Sequence, residues 1–300
     1  HDDGGPAQAA VGAQLVPRVA LGDEVLLLAV AAPDRRGDAR HVAAGDDRGA
    51  RSVTEDEGGA TVLRVGEVEQ LFDPHDEHVL GRADRVGHGL LDLARLRADE
   101  VEVAPGVGHV PGWVGIGKQK ALVEETREIA RAYAHTPMAM VQPRLKSGGQ
   151  MSVFQLHLGR YWHYPSYRYV DNMEGTRVPP VPDSLRELAP AALRQAAQVA
   201  PELEPWVDNF VPEMALVNYY PPGSAMGMHV DDSEESPAPV ISLSIGDEAL
   251  FRIGHTENRT KPWDDVTLCS GDLVVFGGPK RFAYHGVVRV NDGTLPEACG

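Results

Sequence analysis

Cysteine is almost missing from this chain. Only Cys269 and Cys299 occur, in no spacing that suits a metal site or a disulfide framework. A disulfide-stapled fold is excluded, and a reducing, cytoplasmic setting is the expectation. Long apolar runs are missing as well. The longest candidate, Val25 to Ala32, falls far short of the roughly 18 residues that a membrane helix needs, so no membrane partner is expected. The opening residues are acidic and rich in Gly and Ala, unlike a secretory signal. The chain starts on His1, so an upstream start is expected.

Aromatic residues and lysine are scarce in one region only. Residues 1–100 hold a single aromatic, Phe72, and no lysine, against 20 acids and 11 arginines. No sustained period runs through them. A core without aromatics buries little area per residue. The expectation for 1–100 is a weakly structured segment, with the composition a wrong-frame GC-rich translation would have. The net charge of −16 argues against a general nucleic-acid coat protein. A local basic groove on the second part is an alternative to scattered solvated charges. Arg144, Lys146, Arg160, Arg168, Arg259, Lys261, Lys280 and Arg281 are its candidates.

The texture changes near Val101. Gly117 to Ala134 reads as an amphipathic helix, with Leu122, Val123, Ile129, Ala130 and Tyr133 at helical spacing. Met151 to Leu158 alternates as a strand. Asp183 to Ala200 is a second helical region, N-capped by Asp183 or Ser184, with a kink or break expected at Pro190. Beyond Pro212 come short strands punctuated by glycine: Met214–Tyr220, Met226–Val230, Val240–Ile245, Ala249–Ile253, Val266–Leu268, Asp272–Phe276 and Phe282–Val288. Strands at this spacing indicate a sandwich or barrel rather than alternating βαβ units. The fold class expected is α+β: a double-stranded β-helix (jelly roll) with supporting helices on one outer face.

Among these strands lie His229, Asp231 and His285. On a strand, residues i and i+2 share a face, so His229 and Asp231 would point together and His285 would join them from a neighbouring strand. Two imidazoles and a carboxylate on one face of a ferrous ion leave about three positions open, which a closed structural zinc site does not. The bland alternative is a surface His229 and a His285 packed in a core. Asn218 and Tyr220 share a face upstream and could hydrogen-bond an acid co-substrate. Tyr161, Trp162, Tyr164, Tyr167 and Tyr169 form an aromatic cluster. It suits either a flap over the core or the holding of a base taken out of its stack.

Assembled, these residues resemble the AlkB family of Fe(II)- and 2-oxoglutarate-dependent dioxygenases. The likeness spans 101–298 and is closest from Asn218 to Gly286. It rests on Pro111-Gly112-Trp113, Pro143-Arg144, Met151-Ser152-Val153, Asn218-Tyr219-Tyr220, His229-Val230-Asp231 and Ser242-Leu243-Ser244-Ile245-Gly246. It continues through Phe251-Arg252-Ile253-Gly254, Ser270-Gly271-Asp272-Leu273, Gly277-Gly278 and Tyr284-His285-Gly286. The resemblance implies oxidative dealkylation of N-alkylated bases in DNA, with Fe(II) as cofactor and 2-oxoglutarate and O2 as co-substrates. RNA, tRNA or a protein side chain are alternative substrates of the same chemistry, and a non-catalytic remnant is the alternative of another class. By position, His229, Asp231 and His285 would bind iron, and Asn218, Tyr219 and Tyr220 would meet 2-oxoglutarate. Trp162, Tyr167, Tyr169, Ser233 and Arg259 would face the substrate. A monomer acting on alkylated DNA or RNA is expected.

The sequence departs from the family at three places. Arg160 stands where the family has Trp, with Trp162 two residues on. Ser233 stands where an acid often faces the base, with Asp232 and Glu234 beside it. The family's last strand carries an Arg-x-Asn-x-x-x-Arg run whose first Arg pairs with a 2-oxoglutarate carboxylate, and no such run follows His285 here. A chain cut short of its last strand is the expectation.

Overall fold

A computed structural model describes residues 100–145, 148–234 and 236–295, together with the backbone of 25–31 and 61–62. No helix among the described residues is long and apolar enough to cross a membrane.

Nine strands form a large sheet in the order β2 (Thr61–Val62), β5 (Val141–Gln142), β6 (Phe154–Leu158), β11 (Met214–Tyr220), β1 (Val25–Ala31), β12 (Val240–Gly246), β15 (Leu273–Phe276), β4 (Val107–Val110), β3 (Val101–Ala104). A second sheet of three runs β14 (Asp264–Leu268), β13 (Glu248–Ile253), β16 (His285–Asn291). The pairings in both are antiparallel. This is the rolled double sheet expected from the strand spacing.

Two core clusters follow from the two faces of the large sheet. On the outer face, helix α1 (Ile116–Tyr133) buries Gln119, Leu122, Thr126 and Ala130. Their spacing of three and four lays them along one stripe. Helix α2 (Asp183–Ala196) buries Leu185, Ala189, Ala192, Leu193 and Ala196. Each fully buried Leu contributes about 1.5–3 kcal/mol. The helix runs through Pro190 without the expected break, and its cap is Pro182. Ser184, expected as a possible cap, instead donates to Glu125 on α1. Buried small residues on either side of Pro190 keep α2 seated on the sheet, and this packing outweighs the lost backbone bond. On the inner face, Val240, Val274 and Phe276 meet Phe251, Ile253 and Val287 of the smaller sheet.

Two expectations need correction. Met226–Val230 is not a strand. It is an extended loop laid along β16, held by the His229–His285 bridge and by the Met226 N–H, which donates to the Val287 carbonyl at 2.7 Å. The segment 25–31, expected to be weakly structured, is a strand at the centre of the large sheet, paired along its length with β11 and β12. The sheet is therefore continuous across that position. The strand reads Val-Leu-Leu-Leu-Ala-Val-Ala, with no cationic residue, so it offers no counterpart of the arginine implied for the co-substrate carboxylate. The rest of 1–99 is outside the described residues, apart from Thr61–Val62.

The β7–β8 hairpin (Tyr161–His163, Arg168–Val170) continues from β6 and carries the aromatic cluster. The turn before it needs Gly159, at φ +80, where a Cβ would sit 2.0 Å from the Glu213 carbonyl oxygen.

Candidate metal centre and its cavity

His229, Asp231 and His285 converge. Their ligand atoms all lie within 4.8 Å of one another. Asp231 faces both imidazoles, with Oδ1 3.4 Å from His229 Nε2 and Oδ2 3.5 Å from His285 Nε2. Backbone geometry creates this meeting. The His229 N–H donates to the His285 carbonyl at 2.8 Å, and the His285 N–H donates back at 2.9 Å. That pair brings the two rings to a centroid separation of 4.6 Å. Gly286 makes room, since a Cβ there would stand 2.6 Å from the Met226 carbonyl oxygen.

The ring tautomers are fixed in the same way. His229 Nδ1–H donates to the Gly227 carbonyl at 3.0 Å, and His285 Nδ1–H donates to the Ala283 carbonyl at 3.0 Å. Each ring is left with its Nε2 lone pair directed at Asp231, the arrangement a metal ligand requires. Phe276 packs on His285 at 4.6 Å between centroids. Burial alone would raise the Asp231 carboxyl, but the charge and Nε2–H of His285 and His229 in their protonated forms hold it well below the usual carboxylate range. Arg281, buried to 1% exposure, donates to the Asp231 main-chain carbonyl at 2.8 Å and to the Ala238 carbonyl at 2.6 Å. It therefore holds the ligand loop in place and is not part of a surface groove. Lys146 lies outside the described residues.

A cavity of about 620 Å³ opens onto the triad. Asn218 and Tyr220 of β11 line it, facing the way their spacing implies. Tyr219, expected with them, does not. It points to the opposite face of β11 and packs in the outer core near Phe154, because side chains alternate along a strand. Asn218 is oriented by Gln155, whose amide donates to its Oδ1 at 2.9 Å, and Gln155 in turn accepts from the Tyr164 hydroxyl.

Trp162 and Tyr169 line the far wall, edge to face at 5.0 Å. Tyr169 donates to Glu234, which also lines the cavity. Ser233 lines it from an exposed position. Arg259 lies at the exposed rim with its guanidinium over the Tyr284 ring at 5.4 Å. Tyr167 is not a wall of the cavity. It is 47% exposed at the hairpin tip, in a left-handed conformation at φ 47. Sequence reasoning named Glu234 only as an acid beside Ser233 and missed Gln155 and His157; all three line the cavity. For the last two the signal was present, since polar residues at 155 and 157 alternate with Phe154, Leu156 and Leu158.

The donor set is that of a ferrous centre with an open side. Residues 106–300 match the 2OG-Fe(II) oxygenase superfamily. The chain is 36% identical over 201 residues to the alpha-ketoglutarate-dependent dioxygenase AlkB homolog of Caulobacter vibrioides, covering 66% of this chain and 84% of that one. It is 25% identical over 209 residues to the DNA N(6)-methyladenine demethylase ALKBH1C of Arabidopsis thaliana, covering 65% and 45%. The solved structure of OsALKBH1 superposes with a TM-score of 0.52 at 26% identity, covering 67% of this chain and 92% of that one. The chain belongs to the AlkB family of the 2OG-Fe(II) oxygenase superfamily and is a 2-oxoglutarate-dependent dioxygenase that works with Fe(II), 2-oxoglutarate and O2.

Proposed function

We infer that this enzyme removes alkyl groups from ring nitrogens of nucleic-acid bases. One observation carries the reading: a single cavity joins the His229–Asp231–His285 centre to an aromatic wall of Trp162 and Tyr169, with the Glu234 carboxyl bonded to Tyr169. Bases alkylated at a pairing nitrogen, such as 3-methylcytosine and 1-methyladenine, are flat and cationic. Flat side chains and a carboxyl group suit them.

His229, Asp231 and His285 would hold the metal, and Asn218 and Tyr220 would meet the co-substrate. With Fe(II), 2-oxoglutarate and O2 bound, the chemistry supplied is hydroxylation of the N-alkyl carbon, yielding succinate, CO2, an aldehyde and the restored base. The chain's own residues orient and exclude water. Gln155 fixes the Asn218 amide, and Arg281 holds the ligand loop by its carbonyls. Tyr169 closes the wall, and Arg259, exposed at the rim, would meet the phosphate backbone.

The test is turnover of single-stranded DNA and RNA oligonucleotides carrying 3-methylcytosine or 1-methyladenine. Formaldehyde and succinate should appear in equal amounts, and Asp231→Ala should produce neither. Turnover of an alkylated peptide in place of every oligonucleotide would refute the reading.

A further inference from the structure

His157 lies on β6, two residues beyond Gln155 and on the same face, and lines the cavity. It is 4% exposed, under the aromatic hairpin, with its ring 4.7 Å from that of Tyr161 and 6.4 Å from that of Tyr164. The neighbouring polar atoms are already engaged. Gln155 spends its oxygen on Tyr164 and its nitrogen on Asn218. His157 differs. The Trp162 backbone N–H points at its Nδ1 at 3.5 Å, and its Nε2 has no hydrogen-bond partner among the described residues.

The Trp162 N–H makes Nδ1 the acceptor, so the ring proton lies on Nε2. Burial pushes the His157 pKa down to about 3, so the ring is neutral and carries one N–H. A buried donor without a partner is costly, and such a group in a binding cavity is best explained by an acceptor that the ligand brings. The walls already described contribute flat surfaces and a carboxyl group. Neither tells one alkylated base from another.

We propose that His157 is a specificity-determining residue, and that its Nε2–H donates to a carbonyl oxygen next to the alkylated ring nitrogen of the substrate base. The proposal rests on the nucleic-acid reading above and narrows it. A 3-alkylcytosine has O2 beside N3. A 1-alkyladenine has a C–H at the corresponding position, so it leaves the donor unpaired. Both are cations that carry an amino group on the other side of the alkylated nitrogen, so charge and that edge do not separate them; one is a single ring and the other a fused pair. A site built to pair a polar group rejects the analogue that lacks it.

The experiment compares 3-methylcytosine and 1-methyladenine in the same single-stranded oligonucleotide. It uses kcat/KM for turnover, and fluorescence anisotropy for binding to the metal-free full chain. The wild type should favour 3-methylcytosine by about 10- to 100-fold. His157→Phe should lose that factor on 3-methylcytosine, with unchanged Co(II) binding at the His229–Asp231–His285 centre reporting that the variant is folded. His157→Gln, whose amide nitrogen reaches the place of Nε2, should recover a large part of the preference. Absence of a preference in the wild type overturns the proposal and leaves the dealkylation reading standing. So does an equal loss on both bases in both variants. Wild-type turnover of neither base overturns that reading, and the proposal with it.

Discussion

The two ends of the cavity are built differently. At the metal end the ring nitrogens are committed. Both Nδ1 atoms donate to backbone carbonyls, and both Nε2 atoms face Asp231. At the hairpin end, His157 Nε2 is buried without a hydrogen-bond partner among the described residues. The difference separates a site prepared for one fixed ion from a surface completed by whatever enters it. Preorganisation holds the metal geometry, whereas the cost of the unpaired ring nitrogen at the other end is offset by a ligand that matches it.

The largest expected break comes at the metal end. Asp231→Ala removes the carboxylate that both imidazoles share, and metal affinity should fall by at least about 100-fold, since loss of even an outer partner costs 10–100-fold. Isothermal titration with Co(II) checks this, and binding of the alkylated oligonucleotide should survive. Gly286→Val acts on the same end through the backbone. The new Cβ meets the Met226 carbonyl oxygen, so the loop must move away from β16. A stability loss of about 1–3 kcal/mol in urea unfolding is expected, with weakened Co(II) binding.

The hairpin end gives a pH signature. The His157 pKa is about 3 in the folded protein, lowered by burial, against 6.5 for the free side chain. Its folded pKa lies below the unfolded one, so the unfolded chain takes up the proton first. This stabilisation is complete above the unfolded value and is lost as pH falls from 6.5 towards 3. The loss approaches about 1.4 kcal/mol per pH unit. Urea unfolding of wild type and His157→Phe between pH 7 and 5 should show a shallower acid loss in the variant. The smallest effect is expected from Tyr169→Phe, which removes the hydroxyl that meets Glu234 and leaves the ring. KM for the alkylated oligonucleotide should rise a few-fold, by about 0.5–1.5 kcal/mol, with Co(II) affinity unchanged. An equal change in metal binding would erase the distinction between the two ends.

The legible parts of the site were those written in short-range spacing. His229-x-Asp231 and the later His285 were readable because one bridge of backbone pairing brings them together. The reason assumed for it, a strand over Met226–Val230, was not the one the chain uses. Asn218 and Tyr220 followed from the period of two on β11, and the same period places Tyr219 on the other face. Long-range matters stayed hidden. An apolar run at 25–31 says nothing of partners near 216 and 243, far along the chain, yet it pairs with both. Arg281 read as a surface charge, because its burial depends on two carbonyls supplied by distant residues. Asp272 shows the converse: it lies in a motif of the resemblance but is a brace, accepting the Gly112 N–H at 2.6 Å and the Cys269 N–H at 2.9 Å.

On this reading two imidazoles and one carboxylate share one ferrous ion in the wall of a cavity of about 620 Å³. X-ray absorption at the iron edge, on protein loaded with Fe(II) without oxygen, tests it most directly. One iron per chain with two imidazole nitrogens in its coordination sphere is the expected result, reduced to one imidazole and much weaker binding in His285→Ala. An iron environment that does not change when His285 is replaced would show that the ion is held elsewhere.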